Sequence, residues 1–153
     1  MTDVILREAK KEDLSTLLLF EQALIEAEKP LDEFLGEGKL KYYNIEEMIA
    51  SDSTYLIVAV YGAKLIGSGY VRIEENKIYH KNPKHGYIGF IYVESNSRGK
   101  KISTKILKEL KRWASKEELK ELRLDVYNNN VPALKSYESF GFKKSLVNMR
   151  MNI

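Results

Sequence analysis

Hydrophobic and polar positions change period several times along this chain, and each change marks an element. Val4-Ile5-Leu6-Arg7 is short and apolar and predicts a first strand. Asp13 precedes a stretch in which Leu14, Leu17, Leu18, Leu24 and Ile25 recur at helical spacing, so a helix capped by Asp13 is expected there. Pro30 and the pair Gly36 and Gly38 break it. Asn44, with Glu47 three residues on, predicts the capped start of a short second helix. Tyr55 to Val60 is a continuous apolar run with β-branched residues. Tyr61-Gly62-Ala63-Lys64 predicts a tight turn, and Leu65 to Ile73 returns as the hairpin partner. Glu74 to Gly86 is polar and reads as a loop. Tyr87 to Val93 is the most apolar strand and belongs at the centre of a sheet.

The period then returns to that of a helix. From about Gly99 to Lys116, Ile102, Ile106, Leu107, Leu110, Trp113 and Ala114 form one apolar stripe. Leu122 to Val126 predicts another strand, and Asn128-Asn129-Asn130 a turn. Asn130 caps a short helix with Pro132 in its first turn, where a missing N–H costs nothing. Gly141 ends that helix, and Phe142 to Met151 predicts a closing strand. The expected order is β-α-α-β-β-β-α-β-α-β. It describes one α/β domain over residues 1–153, built on a mixed sheet.

Composition narrows the chemistry. The absence of cysteine excludes a disulfide scaffold, a zinc ribbon, an iron–sulfur site and a cysteine nucleophile, and no metal site is expected. Apolar runs such as Leu17 to Phe20 are too short to span a bilayer. Met1-Thr2-Asp3 shows no basic region followed by an apolar one, so a cytoplasmic protein without a secretory leader is expected. The net charge of +3 is small, but its distribution is uneven. Residues 1–54 carry 6 basic and 13 acidic side chains, whereas residues 98–123 carry 10 basic and 4 acidic. Two solvated faces would account for this bias; so would one end holding a polyanion while the other faces a cation.

The strongest chemical signal is the junction from Val93 to Thr104. An apolar strand ends, a loop follows, and a helix opens on a glycine surrounded by Arg98, Lys100 and Lys101, with the hydroxyls of Ser103 and Thr104 close behind. The first N–H groups of a helix lack intrahelical acceptors and lie at the positive end of its dipole, which suits phosphate.

Arg98-Gly99-Lys100-Lys101-Ile102-Ser103 resembles the acyl-CoA loop of the GCN5-related N-acetyltransferases, R/Q-x-x-G-x-G/A. Asn130, Ala133, Tyr137, Gly141 and Phe142 fill every listed position of that family's second motif, N-x-x-A-x-x-x-Y-x-x-x-G-F. The opening Ile5-Leu6-Arg7-Glu8-Ala9 and Glu12-Asp13-Leu14 are similar to the family's first strand and helix. The loop departs from the pattern at Lys101, in place of the middle glycine, and at Ser103, in place of the last glycine or alanine. Both positions are expected to have ordinary helical backbone.

The resemblance implies acetyl transfer from acetyl-CoA directly to a primary amine, either a small cationic amine or a protein or peptide amine. Backbone at Ile91 and Val93 would pair with the pantetheine arm. The corner formed by Arg98, Gly99, Lys100, Lys101, Ile102, Ser103 and Thr104 would hold the pyrophosphate. Asn130 would contact the cofactor arm, and Tyr137 would lie beside the thioester sulfur as general acid. Read without the motif, Tyr137 is an amphipathic core tyrosine.

No general base is assigned. The family's usual glutamate position on the central strand is Gly89, and Glu94, Asp125, His80 and His85 are its neighbours in sequence or on the next strand. The acceptor site of look-alikes is walled by the first two helices and the loop between the third and fourth strands. Here Glu21, Glu26, Glu28, Asp32, Glu33 and Glu37 stand against Lys29 alone, which either attracts a cationic amine or is a solvated acidic face. Ten tyrosines, among them Tyr42, Tyr43, Tyr70, Tyr79, Tyr87 and Tyr92, exceed what a core needs. A homodimer is compatible with the resemblance, being common among look-alikes.

Two other readings stay open. One is a non-catalytic acyl-CoA-binding or regulatory module, motivated by Gly89, Lys101 and Ser103. The other is nucleic-acid binding through Arg98, Lys100, Lys101, Lys105, Lys108, Lys111 and Arg112. No nucleic-acid partner is expected, because that cluster has no interleaved aromatic apart from Trp113 on the buried stripe.

Overall fold

A computed structural model of the chain describes residues 3–153. Met1 and Thr2, on which part of the leaderless-start expectation rests, lie outside the described residues. The strands are β1 (Val4–Glu8), β2 (Thr54–Tyr61), β3 (Lys64–Glu75), β4 (Lys84–Val93) and β5 (Leu122–Leu124). The helices are α1 (Leu14–Glu28), α2 (Ile45–Ala50), α3 (Ile102–Lys116) and α4 (Val131–Phe140). The five strands form one sheet in chain order, antiparallel from β1 to β4, with β5 parallel to β4.

Each face of the sheet buries its own core. On one side Ile57, Val71 and Ile88 pack against Ile102, Ile106, Leu107 and Leu110, the stripe of α3. On the other, Leu56, Val58, Tyr70 and Phe90 pack against Leu17 and Phe20 of α1 and Ile45 and Met48 of α2. The spacing of apolar positions in α3 therefore does what its periodicity predicts.

Local signals are met in several places. Asn44 Oδ1 accepts the Glu47 N–H at 3.2 Å, and Asn130 Oδ1 accepts the Ala133 N–H at 3.4 Å. Gly62 takes φ 63° in the β2–β3 turn, and Gly141 takes φ 127° after α4. The polar loop is shorter than expected, because β3 runs on to Glu75 and β4 begins at Lys84.

Two expectations fail. Asp13 does not cap α1; its carboxylate accepts the Lys10 N–H and a two-pronged pair of bonds from Arg7, at 2.8 and 2.9 Å, and so closes the short 3-10 turn before the helix. The expected closing strand over Phe142 to Met151 is not formed. Phe142 packs beside Tyr137 and Phe140, but beyond it the chain takes no ladder partner, and Leu146 and Met149 are 93% and 88% exposed. Apolar alternation supplies a face for a strand, whereas a ladder also needs a neighbouring edge in register. The segment is anchored instead by Arg150, whose guanidinium binds both oxygens of Asp32 at 3.0 and 3.1 Å and lies over the Phe34 ring.

Candidate active site at the β4–α3 corner

β4, the fourth of five strands rather than the middle one expected, is irregular where chemistry was expected. Register between β3 and β4 shifts at Ser68/Tyr70, and opposite it Phe90 has φ 55°, a left-handed backbone that β-strand residues avoid. Ser68 Oγ donates to the Phe90 carbonyl at 2.9 Å and holds the bulge. Pairing of β4 with β5 runs only from Gly86 to Ile88, opposite Leu122 to Leu124. From Gly89 to Val93 the β5 side of β4 therefore has no strand beside it, and Ile91 and Val93 sit at the mouth of that opening.

The chain leaves β4 through Glu94, whose carboxylate meets Lys64 at 3.0 Å, and a 3-10 turn over Ser95–Ser97. Arg98 is exposed and folds back, its Nε donating to the Val93 carbonyl at 3.0 Å. Gly99 takes φ 79°, and a side chain there would meet nothing within 4 Å, so the backbone angle alone calls for glycine. α3 begins at Ile102 rather than Gly99. No side chain caps it, which leaves the N–H groups at Ile102, Ser103 and Thr104 aimed outward with Lys100 and Lys101 exposed beside them.

Lys101 corrects an expectation. It does not have helical backbone but lies at φ 60°, ψ 29°, in the left-handed region, so the position does favour the glycine of the family pattern. Lys101→Gly is expected to be more stable than Lys101→Ala by about 1 kcal/mol, measured by urea denaturation. Equal stabilities would show that the left-handed turn carries no strain.

Asn130 caps α4 and Tyr137 lies within it, and the helix packs on the α3 side of the sheet. Tyr137 rests against Phe142 with ring centroids 6.1 Å apart, in the cluster that also takes in Ile91 and Val93. Burial, and secondarily the charge of Glu28, push its phenol up to about 12. A groove of ≈ 680 Å³ between α3 and α4 is lined by Thr104, Lys108, Lys111, Arg112, Ser136 and Phe140, so the basic side chains of α3 extend the positive surface away from the helix start.

On the other face, aromatic rings crowd the bulge. Tyr43 lies 4.8 Å from Phe90 and 5.8 Å from Tyr70, while Phe20 lies 4.8 Å from Tyr92. Arg72 covers Tyr70 and Tyr87 at 5.4 and 5.5 Å. Tyr79, by contrast, is exposed in the β3–β4 loop. A Cβ at Gly89 would lie 2.5 Å from the Tyr70 hydroxyl, so that ring fills the space a glutamate there would enter.

The other candidate bases are engaged elsewhere. His85 is buried against Asn76 and Glu74, and burial holds its imidazole below the usual histidine range. His80 lies tilted against Tyr79, with ring centroids 4.8 Å apart, in an exposed loop. Asp125 accepts the Tyr87 hydroxyl at 3.0 Å at the surface.

The acidic residues of the first helices separate into distinct environments. Glu21 is 1% exposed and accepts the backbone N–H groups of Tyr42 and Tyr43, both at 2.8 Å. Glu26 pairs with Lys29, Glu33 accepts from Asn152, and Asp32 takes Arg150, the Tyr127 hydroxyl and the Phe34 N–H. Glu37 is exposed. Glu28 alone is half-buried without a cation, a distinction that spacing along α1 does not reveal. Among the described residues no group of three or more metal-ligating side chains is present, and no helix is long and apolar enough to cross a membrane.

These features agree with comparisons to known proteins. No curated protein matches the sequence. Solved structures do match in fold. A variant of the BH1408 protein from Bacillus halodurans shares 19% identity over 97% of this chain and 99% of its own, with a TM-score of 0.85. A predicted acetyltransferase from Clostridium acetobutylicum, solved with acetyl-CoA, shares 19% identity over 98% and 96%, with a TM-score of 0.71. The aminoglycoside N-acetyltransferase AAC(6')-Iy, solved with CoA, shares 16% identity over 97% and 100%, with a TM-score of 0.73. The family model for the GNAT acetyltransferases matches residues 19–142, from the middle of α1 through the bulged strand and open corner to Phe142. The chain therefore belongs to the GNAT acetyltransferase family.

Proposed function

We propose that the protein is an N-acetyltransferase that moves an acetyl group from acetyl-CoA directly to a primary amine. The observation that carries this reading is the meeting of two unsatisfied surfaces. The uncapped start of α3 lies next to the stretch of β4 from Gly89 to Val93 that has no partner on its β5 side. An extended amide arm fits the strand, and a pyrophosphate fits the helix start. The residues present thus suit the donor, and the solved relatives with acetyl-CoA and CoA support it.

In this reading Ile91 and Val93 pair with the pantetheine arm, and Arg98 leaves the Val93 carbonyl to join Gly99, Lys100, Lys101, Ile102, Ser103 and Thr104 around the pyrophosphate. Asn130 contacts the arm while capping α4. The bulge at Phe90 leaves β4 backbone out of its ladder, and free N–H groups of that kind stabilise an oxyanion. Tyr137 keeps its proton at neutral pH and gives it to the departing sulfur. The acidic first helices favour a cationic acceptor. The same reading places the protein in the cytoplasm, without metal and without nucleic acid.

Calorimetric titration with acetyl-CoA, CoA and dephospho-CoA tests the donor site, followed by amine-dependent CoA release across a panel of polyamines, aminoglycosides and lysine peptides. Micromolar binding is expected, and Arg98→Ala is expected to weaken it roughly tenfold, the loss of one charge-assisted contact. No binding at millimolar acetyl-CoA would overturn the reading. Binding without CoA release would favour the non-catalytic module, to which the Tyr70 ring over Gly89 points.

A further inference from the structure

With a tyrosine ring in the place of the usual glutamate, the proton of an acceptor ammonium needs another destination. The geometry points to Glu28, at the last turn of α1, as the carboxylate that receives the acceptor's ammonium and takes its proton. This inference rests on the acetyltransferase reading above.

Three observations support it. Tyr42 Oη donates to Glu28 Oε1 at 2.9 Å and is its only hydrogen-bond partner among the described residues, so the carboxylate is oriented and yet keeps acceptor capacity. No lysine or arginine among them lies within ion-pair distance, although Glu21, Glu26 and Asp32 of the same region are each tied to partners. Glu28 is also joined to the bulge through ring contacts, since the Tyr42 that donates to it lies edge-on to Tyr43 with centroids 5.8 Å apart; its charge adds to the burial that raises the phenols of Tyr42, Tyr43, Tyr127 and Tyr137. Tyr43 in turn covers Phe90 at the bulge.

Burial, with a smaller contribution from Asp32, lifts the Glu28 carboxyl above its ordinary range, against the opposing effect of the Tyr42 bond. A half-buried carboxylate without a cation is stabilised by an arriving ammonium and is more basic than a solvated one.

The protons balance as follows. Glu28 takes one proton from R–NH3+, leaving R–NH2 to form the C–N bond at the thioester carbon. As the C–S bond breaks, its electron pair leaves on sulfur, which takes the Tyr137 proton. The Tyr137 phenolate then recovers the second proton from the amide nitrogen, and Glu28 releases its own to solvent. The products are the N-acetylated amine, CoA thiol and one proton.

Glu28→Gln is isosteric and keeps the Tyr42 bond. With an alkylamine acceptor, kcat/KM is expected to fall about 10²-fold at pH 7 while the Kd for acetyl-CoA stays within twofold. The pH profile should change shape as well. In the wild type, kcat/KM is expected to level off above the Glu28 titration; Asp32 with Arg150, and the hydroxyls of Tyr42, Tyr43, Tyr127 and Tyr137, stay in one protonation state across that span. In Glu28→Gln it should instead climb tenfold per pH unit toward the pKa of the amine. An arylamine acceptor, already neutral at pH 7, should be acetylated by both forms at rates within about threefold. Tyr42→Phe, which keeps the carboxylate, should retain the wild-type profile shape.

Equal loss toward alkylamine and arylamine, or an unchanged pH profile, would overturn the role of Glu28 and leave the acetyltransferase reading standing. Wild-type protein that binds no acetyl-CoA, or acetylates neither amine, would overturn that reading itself and the Glu28 role with it.

Discussion

Tyr137→Phe is expected to lower kcat by roughly 10²- to 10³-fold while changing the Kd for acetyl-CoA less than twofold. Phenylalanine keeps the ring that packs against Phe142 and the α3-side core, so the fold and the walls of the opening remain. Only the hydroxyl is lost. Burial raises that hydroxyl to about 12, so it stays protonated through the physiological range and enters the reaction as a proton donor. Stopped-flow measurement of CoA thiol release, compared with calorimetric Kd, separates the two quantities. Turnover at the wild-type rate would return Tyr137 to a packing role. Equal losses in binding and turnover would mean that the ring positions the donor.

Glu21→Ala is expected to destabilise the protein by about 3 kcal/mol, because it removes a charged acceptor and leaves two inward-facing N–H groups without partners. One oxygen, Oε2, accepts both Tyr42 N–H and Tyr43 N–H at 2.8 Å. Glu21→Gln retains a carbonyl oxygen at that place and should cost about 1 kcal/mol, the difference between a charged and a neutral acceptor. Urea denaturation of both variants checks the contrast. Equal costs would show that packing rather than hydrogen bonding makes the buried glutamate necessary. The Ala variant should also lose acetyltransferase activity disproportionately, since the segment it releases carries Tyr42, which orients Glu28, and Tyr43, which covers Phe90.

Much of this fold is legible along the chain, and the reasons are local. The apolar runs of β2 and β4 lie in a sheet covered on both faces, so their burial needs no finer pattern. Asn44 and Asn130 cap their helices because a short polar side chain reaches only the N–H groups just ahead of it. The uncapped α3 start could be placed within three residues because its apolar stripe opens at Ile102. What resists reading is decided by partners distant in sequence. Met149 and Leu146 carry a strand's pattern, but no edge pairs with them. Phe90 enters the left-handed region because β3 and β4 lose register across it, and neither strand's own composition shows that. Lys101 is left-handed although nothing in its chemistry favours such backbone, and only comparison with a glycine pattern hints at it. Glu28 is one of six acids in its stretch; burial and the lack of a cation, both tertiary facts, set it apart.

The bond between Arg150 and Asp32 joins the last residues of the chain to the loop that follows α1, with Asn152 reaching Glu33 beside it. Residues 150–152 are therefore fastened to the loop that continues from α1. The Arg150–Asp32 pair does for the stretch after α4 what a strand ladder would have done, and holds together two segments 118 residues apart in the chain.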